Sequence, residues 1–175
     1  MNTKNLVTLS LLVGIGVVLH MVMPAFFGIK PDMMLAMMFL GIMLFPDVKS
    51  VMLLAIVTGI LTALTTGFPG GQIPNIIDKL VTASVFFGLY LILNRFLNSM
   101  VSVAVLTAVG TIISGSVFLA SAYFLVGLPK SFAILFSAGV LPAVALNTVI
   151  MVILYPVALS VLKRTNFSTP SVIQK

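Results

Sequence analysis

Few side chains in this 175-residue chain can hold a charge, a proton or a metal. The acids are Asp32, Asp47 and Asp78; His20 is the one histidine, and neither glutamate nor cysteine occurs. That inventory excludes HExxH-type and Cys/His zinc sites as well as disulfides. No GxxxxGK[ST] is present, so no P-loop holds ATP, and no cofactor motif or catalytic constellation stands out. Asp32 and Asp78 would suffice in number for an intramembrane aspartyl protease. Each, however, stands close to a proline where a helix would start, which suits a cap or a charge partner better than a paired acid.

The charge-bearing residues concentrate in two turn-rich stretches, MPAFFGIKPDMM from Met23 to Met34 and FPGGQIPNIIDK from Phe68 to Lys79. Both run through proline into Asp32 or Asn75, whose side-chain oxygens can accept from the free N–H groups of a first helical turn. Two helix N-termini would then aim their positive ends at one side of the molecule, a setting suited to a carboxylate. Lys30 and Lys79 can reinforce it, and Asp32 and Asp78 can receive an ammonium, so both charges of a zwitterion have partners. Phe68 and Gln72 lie in the same stretch. The plainer reading of these residues is caps, interfacial lysines and turns.

The elements that must position these groups are membrane helices. Hydrophobic residues make up 61% of the chain and charged residues 7%, with a mean hydropathy of +1.29. Soluble domains carry about a quarter charged residues. Runs approaching the roughly twenty residues needed to cross the hydrocarbon core occur at Leu6 to Met23, Pro31 to Phe45, Val51 to Thr66, Leu80 to Phe96, Val101 to Val126 and Phe132 to Leu162. None alternates as a barrel strand would. The expectation is an all-α integral membrane protein, a single transmembrane domain over residues 1–175 with six helices. The first run is longer than a signal-peptide core and lacks a small-x-small cleavage site, so it reads as a retained helix. The second is short and calls for deep loops or local bilayer thinning. The sixth is too long for one straight span, and Pro142 either kinks it or sets off Ser131 to Leu141 as an interfacial piece.

Lys4, Lys49, Arg95, Lys163, Arg164 and Lys175 fall on one side of such a bundle and Lys30, Lys79 and Lys130 on the other, which places both termini inside. The net charge of +6 is this inner-face bias. No basic stripe or soluble module for nucleic acid accompanies it. All three acids lie between the apolar runs, so no acidic relay is expected at membrane depth. Within the runs, His20 can meet a ligand or an interface, and Asn147 needs a partner from another helix or a ligand. Tyr90 and Tyr123 read as interfacial belt residues. Met33, Met34, Met37 and Met38 form a polarizable helical face for packing or for an aromatic ligand.

The stretches MNTKNLVTLSLLVGIGVVLH, GIKPDMMLAMMFLGIMLFP and TALTTGFPGGQIPNIIDKLV resemble the bacterial tryptophan transport protein family. The resemblance is strongest from His20 to Lys79. It implies tryptophan uptake across the bacterial cytoplasmic membrane, with the indole among Phe, Met and Gly surfaces and its N–H on Asn147, Asn75 or Gln72. The size and six-helix plan are also similar to the substrate-binding S-components of energy-coupling-factor transporters. That likeness implies an S-component-like bundle working with a transmembrane coupling protein and two ATPase subunits. S-components carry AxxxA on the first helix for that contact; here Ser10 and Gly14 keep only the small-xxx-small spacing. A stand-alone secondary carrier and a non-transporting structural or regulatory subunit remain the alternatives.

Overall fold

The computed structural model describes residues 3–23, 32–93 and 99–164. Every regular element among them is helical: α1 (Thr3–Val22), α2 (Met33–Leu44), α3 (Val48–Thr65), α4 (Gln72–Leu93), α5 (Ser99–Leu125), the short α6 (Phe132–Leu135), a π-helical turn (Phe136–Val140) and α7 (Leu141–Arg164). Five helical rods among these residues are long and apolar enough to cross a membrane, the last running unbroken from Phe132 to Arg164. With α2 they account for the six apolar runs of the sequence. The chain is a multi-pass helical membrane protein.

The shortest helix occupies the centre. All twelve residues of α2 are buried, and α1, α3, α4, α5 and α7 pack around it. A helix apolar on every face is indifferent between lipid and a protein interior. Here the protein encloses it; residues 24–31, where the expected deep loop into this helix would fall, lie outside the described residues. The four methionines Met33, Met34, Met37 and Met38 belong to this enclosed core. Residues such as Leu11, Ile15, Val18 and Met21 on α1 face outward instead, supplying the apolar exterior that lipid requires.

Helix ends follow local chemistry. Asp32 caps α2, its Oδ1 accepting from the Leu35 N–H at 3.0 Å. Asp47 caps α3 through the Ser50 N–H at 3.0 Å and also accepts from the Ser50 hydroxyl. α4 starts well ahead of the expected Leu80. Pro74 lies in its first turn, where a missing N–H costs nothing, and the helix takes in the whole QIPNIIDK segment. Asp78 is therefore six residues inside a helix long and apolar enough to cross a membrane, about 9 Å along its axis, and not between the apolar runs as expected.

The last rod is helical without interruption through Pro142, so Phe132 to Leu141 is not a separate piece. A widened turn precedes Pro142, in which the Leu141 N–H reaches back to the Phe136 carbonyl. Proline removes one donor from the ladder, and a π turn is a common way to absorb such a mismatch. Tyr90 is not an interfacial belt residue either. It is buried, and its hydroxyl donates to the Met43 carbonyl at 3.3 Å, holding α4 to α2. Tyr123, near the end of α5, is exposed. Lys30, Arg95 and Lys175 lie outside the described residues.

Candidate functional site

At the end of the bundle where α1, α3 and α5 finish and α2, α4 and α6 begin, the helices enclose a cavity of about 570 Å³. His20 from the last turn of α1, Asp32 and Leu35 from α2, and Thr62, Thr65 and Thr66 from the end of α3 form part of its wall. Gly67 and Phe68 follow, then Asn75, Asp78 and Lys79 from α4. Thr111, Ser114, Gly115, Phe118 and Leu119 of α5, together with Leu135, Gly139, Val140, Ala143 and Asn147 of the last rod, complete it. The wall beside the π turn depends on Gly115. A Cβ there would sit 2.5 Å from the Val140 methyls, so only glycine admits this approach.

One edge of the cavity is ionic. The Lys79 ammonium donates to Asp32 Oδ2 at 2.9 Å and to Asp78 Oδ2 at 2.7 Å. Asp78 Oδ1 accepts from the Thr82 hydroxyl at 2.8 Å, and Oδ2 also accepts from Ser114 at 2.9 Å. Lys79 and Asp78 are each 1% exposed. Buried charges persist only when paired and hydrogen-bonded, and this cluster meets both conditions. Asp32 differs: its side chain keeps 28% exposure, and His20 Nδ1 stands 3.7 Å from its Oδ1. Of the two carboxylates that share this ammonium, Asp32 is the one that meets the cavity.

The rest of the lining is aromatic, aliphatic or uncharged polar. Phe68 and Phe118 meet edge to face, centroids 5.3 Å apart at 85°. Asn147 is buried, with Nδ2 3.5 Å from Thr111 Oγ1. The site thus offers a charged edge and an apolar interior, the composition of a pocket for a small amphiphilic molecule. Among the described residues no group of three or more His, Cys, Asp or Glu side chains can hold a metal.

Of the residues singled out in the sequence, His20, Asp32, Phe68, Asn75, Asp78, Lys79 and Asn147 all line this cavity. Gln72 does not; it begins α4 with its side chain exposed. Lys30 lies outside the described residues. Asn75 is not the cap acceptor expected of it, because α4 has already begun three residues earlier. Its side chain donates instead, from Nδ2 to the Gly71 carbonyl at 2.8 Å. Ser10 and Gly14 are outward-facing residues of α1 and line a separate groove of about 400 Å³ with Leu53, Leu54, Val57 and Leu61 of α3.

The hydroxyl lining went unread in the sequence, although a signal was available. Thr58, Thr62 and Thr65, and likewise Thr107, Thr111 and Ser114, recur at i, i+4 and i+7, which puts each set on one helical face. Several of these hydroxyls are satisfied by their own helix, as Thr62 is by the Thr58 carbonyl and Thr107 by Val103. That back-bonding lets an apolar span carry them.

The family model described as "Tryptophan transporter TrpP" matches residues 2–163. A protein of Bacillus subtilis (strain 168) named "Probable tryptophan transport protein" is 55% identical over 168 residues, covering 95% of this chain and 97% of that protein. Proteins of the same name from Clostridium acetobutylicum and Clostridium perfringens are 46% and 40% identical, covering 89% and 94% of this chain and 91% and 96% of their own lengths. No solved structure matches the chain.

Proposed function

The chain belongs to the tryptophan transporter TrpP family, and from that premise we propose that its cavity is the tryptophan site of an importer in the bacterial cytoplasmic membrane. The observation that carries the reading is the juxtaposition of Asp32 and Lys79 with Phe68 and Phe118 in one cavity. Its volume falls within the roughly 300–1,000 Å³ of small-ligand sites. Asp32 receives the ammonium, because its carboxylate is the accessible one of the pair, with 28% of its side chain exposed. Asp78, with both oxygens already engaged, holds Lys79 in place. Lys79 has three N–H donors, two of them on carboxylates, and the third serves the substrate carboxylate with the Thr66 hydroxyl. His20 flanks Asp32, and Asn75 secures the α4 start beside the site.

The site opens outward and both termini lie inside. Lys4, Lys49, Lys163 and Arg164 lie at the end of the bundle away from the cavity and are exposed, while Lys130 is exposed at the cavity end. The positive-inside bias supports that orientation. Energy comes from partner ATPases through a transmembrane coupling protein docked on α1. Support for this comes from the exposed Ser10 and Gly14, the groove beside them, and open space around a Cβ at Gly14, which together permit close helix approach. One observation favours a second reading, a stand-alone ion-coupled carrier: Asp78 is an acid at membrane depth, where such carriers place their relays.

Two measurements test this. Purified protein should bind tryptophan in preference to alanine or lysine, and Ala143→Phe, which fills the cavity, should abolish binding while the protein stays folded. Undiminished binding by the filled variant would place the site elsewhere. Uptake into liposomes containing this chain alone, driven by a proton gradient, would replace the ATPase reading with the second one.

A further inference from the structure

Asn147 is the cavity residue whose chemistry the ionic edge leaves unused. It is 1% exposed and lies on α7 one helical turn past Ala143, with which it shares a face. One N–H of its Nδ2 is directed at Thr111 Oγ1, 3.5 Å away. Its Oδ1 is buried with no hydrogen-bond partner among the described residues. A buried carbonyl without a donor is costly, and the cost is removed by a guest that brings one.

The surroundings define the donor. The neighbours on its own rod, Val140 and Ala143, and those on α5, Thr111 and Gly115, are all uncharged. An ammonium would find its counter-charge at Asp32 instead. What suits Asn147 is a neutral N–H carried on an apolar, planar body. Of the other two amides suited to an indole N–H, Gln72 does not line the cavity, and Asn75, whose Nδ2 donates to the Gly71 carbonyl, stands one helical turn before Asp78 and Lys79 at the ionic edge rather than among the uncharged lining.

We propose that Asn147 Oδ1 accepts the indole N–H and is the residue by which this protein separates tryptophan from aromatic amino acids that lack that donor. The assignment rests on the cavity being the tryptophan site. Thr111 acts as its positioning residue, holding the amide so that oxygen faces the guest. The selectivity follows from asymmetry. An analogue without the N–H leaves the same volume filled but strands a buried acceptor, whereas a wholly apolar pocket would accept both.

The test compares equilibrium binding of tryptophan and 3-benzothienylalanine, in which sulfur replaces the N–H with little change of shape, to the purified full-length protein. The wild type should bind the sulfur analogue about tenfold to a hundredfold more weakly. Asn147→Leu should bring tryptophan down to the level of the analogue and leave the analogue's affinity unchanged or improved, so the ratio collapses to near one. Thr111→Val should lower the ratio part of the way. Equal affinities in the wild type, or a ratio that survives Asn147→Leu, would overturn the assignment while leaving the tryptophan site standing. The wild-type ratio decides even if a variant fails to fold. A wild type that binds neither ligand would remove the site itself, and this inference with it.

Discussion

Lys79→Met removes the ammonium at the centre of the ionic edge while keeping a side chain of similar reach. Asp78 then remains 1% exposed with two hydroxyl donors, Thr82 and Ser114, and no counter-charge within the cluster. Breaking a buried pair from one side costs about 3–5 kcal/mol, because the surviving charge is uncompensated. The lost bond to Asp32 adds less, since that carboxylate keeps 28% exposure and the Leu35 N–H. Adding Asp78→Asn removes the stranded charge. The double variant should therefore recover about 2 kcal/mol or more relative to Lys79→Met alone, a coupling of the size expected for contacting residues. Unfolding by SDS titration of purified protein, followed by loss of helical signal, measures all four corners of the cycle. A Lys79→Met protein as stable as the wild type, or a double variant less stable than either single one, would refute the view that this cluster is a paired and desolvated unit.

Two further outcomes follow from the exterior of the bundle. Gly14→Leu meets open space in the isolated chain, so tryptophan binding should be retained while uptake in cells is lost; unchanged uptake would argue against a partner on that face. Cysteines at Lys49 and Lys163 should react with an impermeant reagent only from the cytoplasmic side and one at Pro69 only from outside, all three positions being exposed; the reverse pattern would invert the cavity.

The six apolar runs were legible because a membrane span needs length and hydropathy, and little else imitates them. Burial within the bundle was not. α2 is as apolar as a lipid-facing helix, and only tertiary packing reveals that it is enclosed. The start of α4 was misread for a specific reason: Pro74 and the polar residues after it resemble a loop, yet proline in a first turn is compatible with a helix. That error moved Asp78 out of the membrane and made Asn75 a cap. The ion pair between Asp32 and Lys79 joins residues 47 apart in sequence, a separation that no local pattern encodes. Asn147 stood out as a lone amide in an apolar run, but the stranded acceptor became visible only with Thr111 placed beside it.

A cavity that holds tryptophan by its charges, with Asp32 on the ammonium, should show this in calorimetric binding to wild type and Asp32→Asn. Asparagine preserves size but not charge. Losing a charge-assisted bond should weaken tryptophan by about 1.5–3 kcal/mol, roughly 10- to 150-fold. Indole-3-propionate lacks the ammonium, so whatever affinity it has should be insensitive to the substitution. Equal losses for both ligands, or tryptophan binding indifferent to Asp32→Asn, would mean that Asp32 does not hold the ammonium.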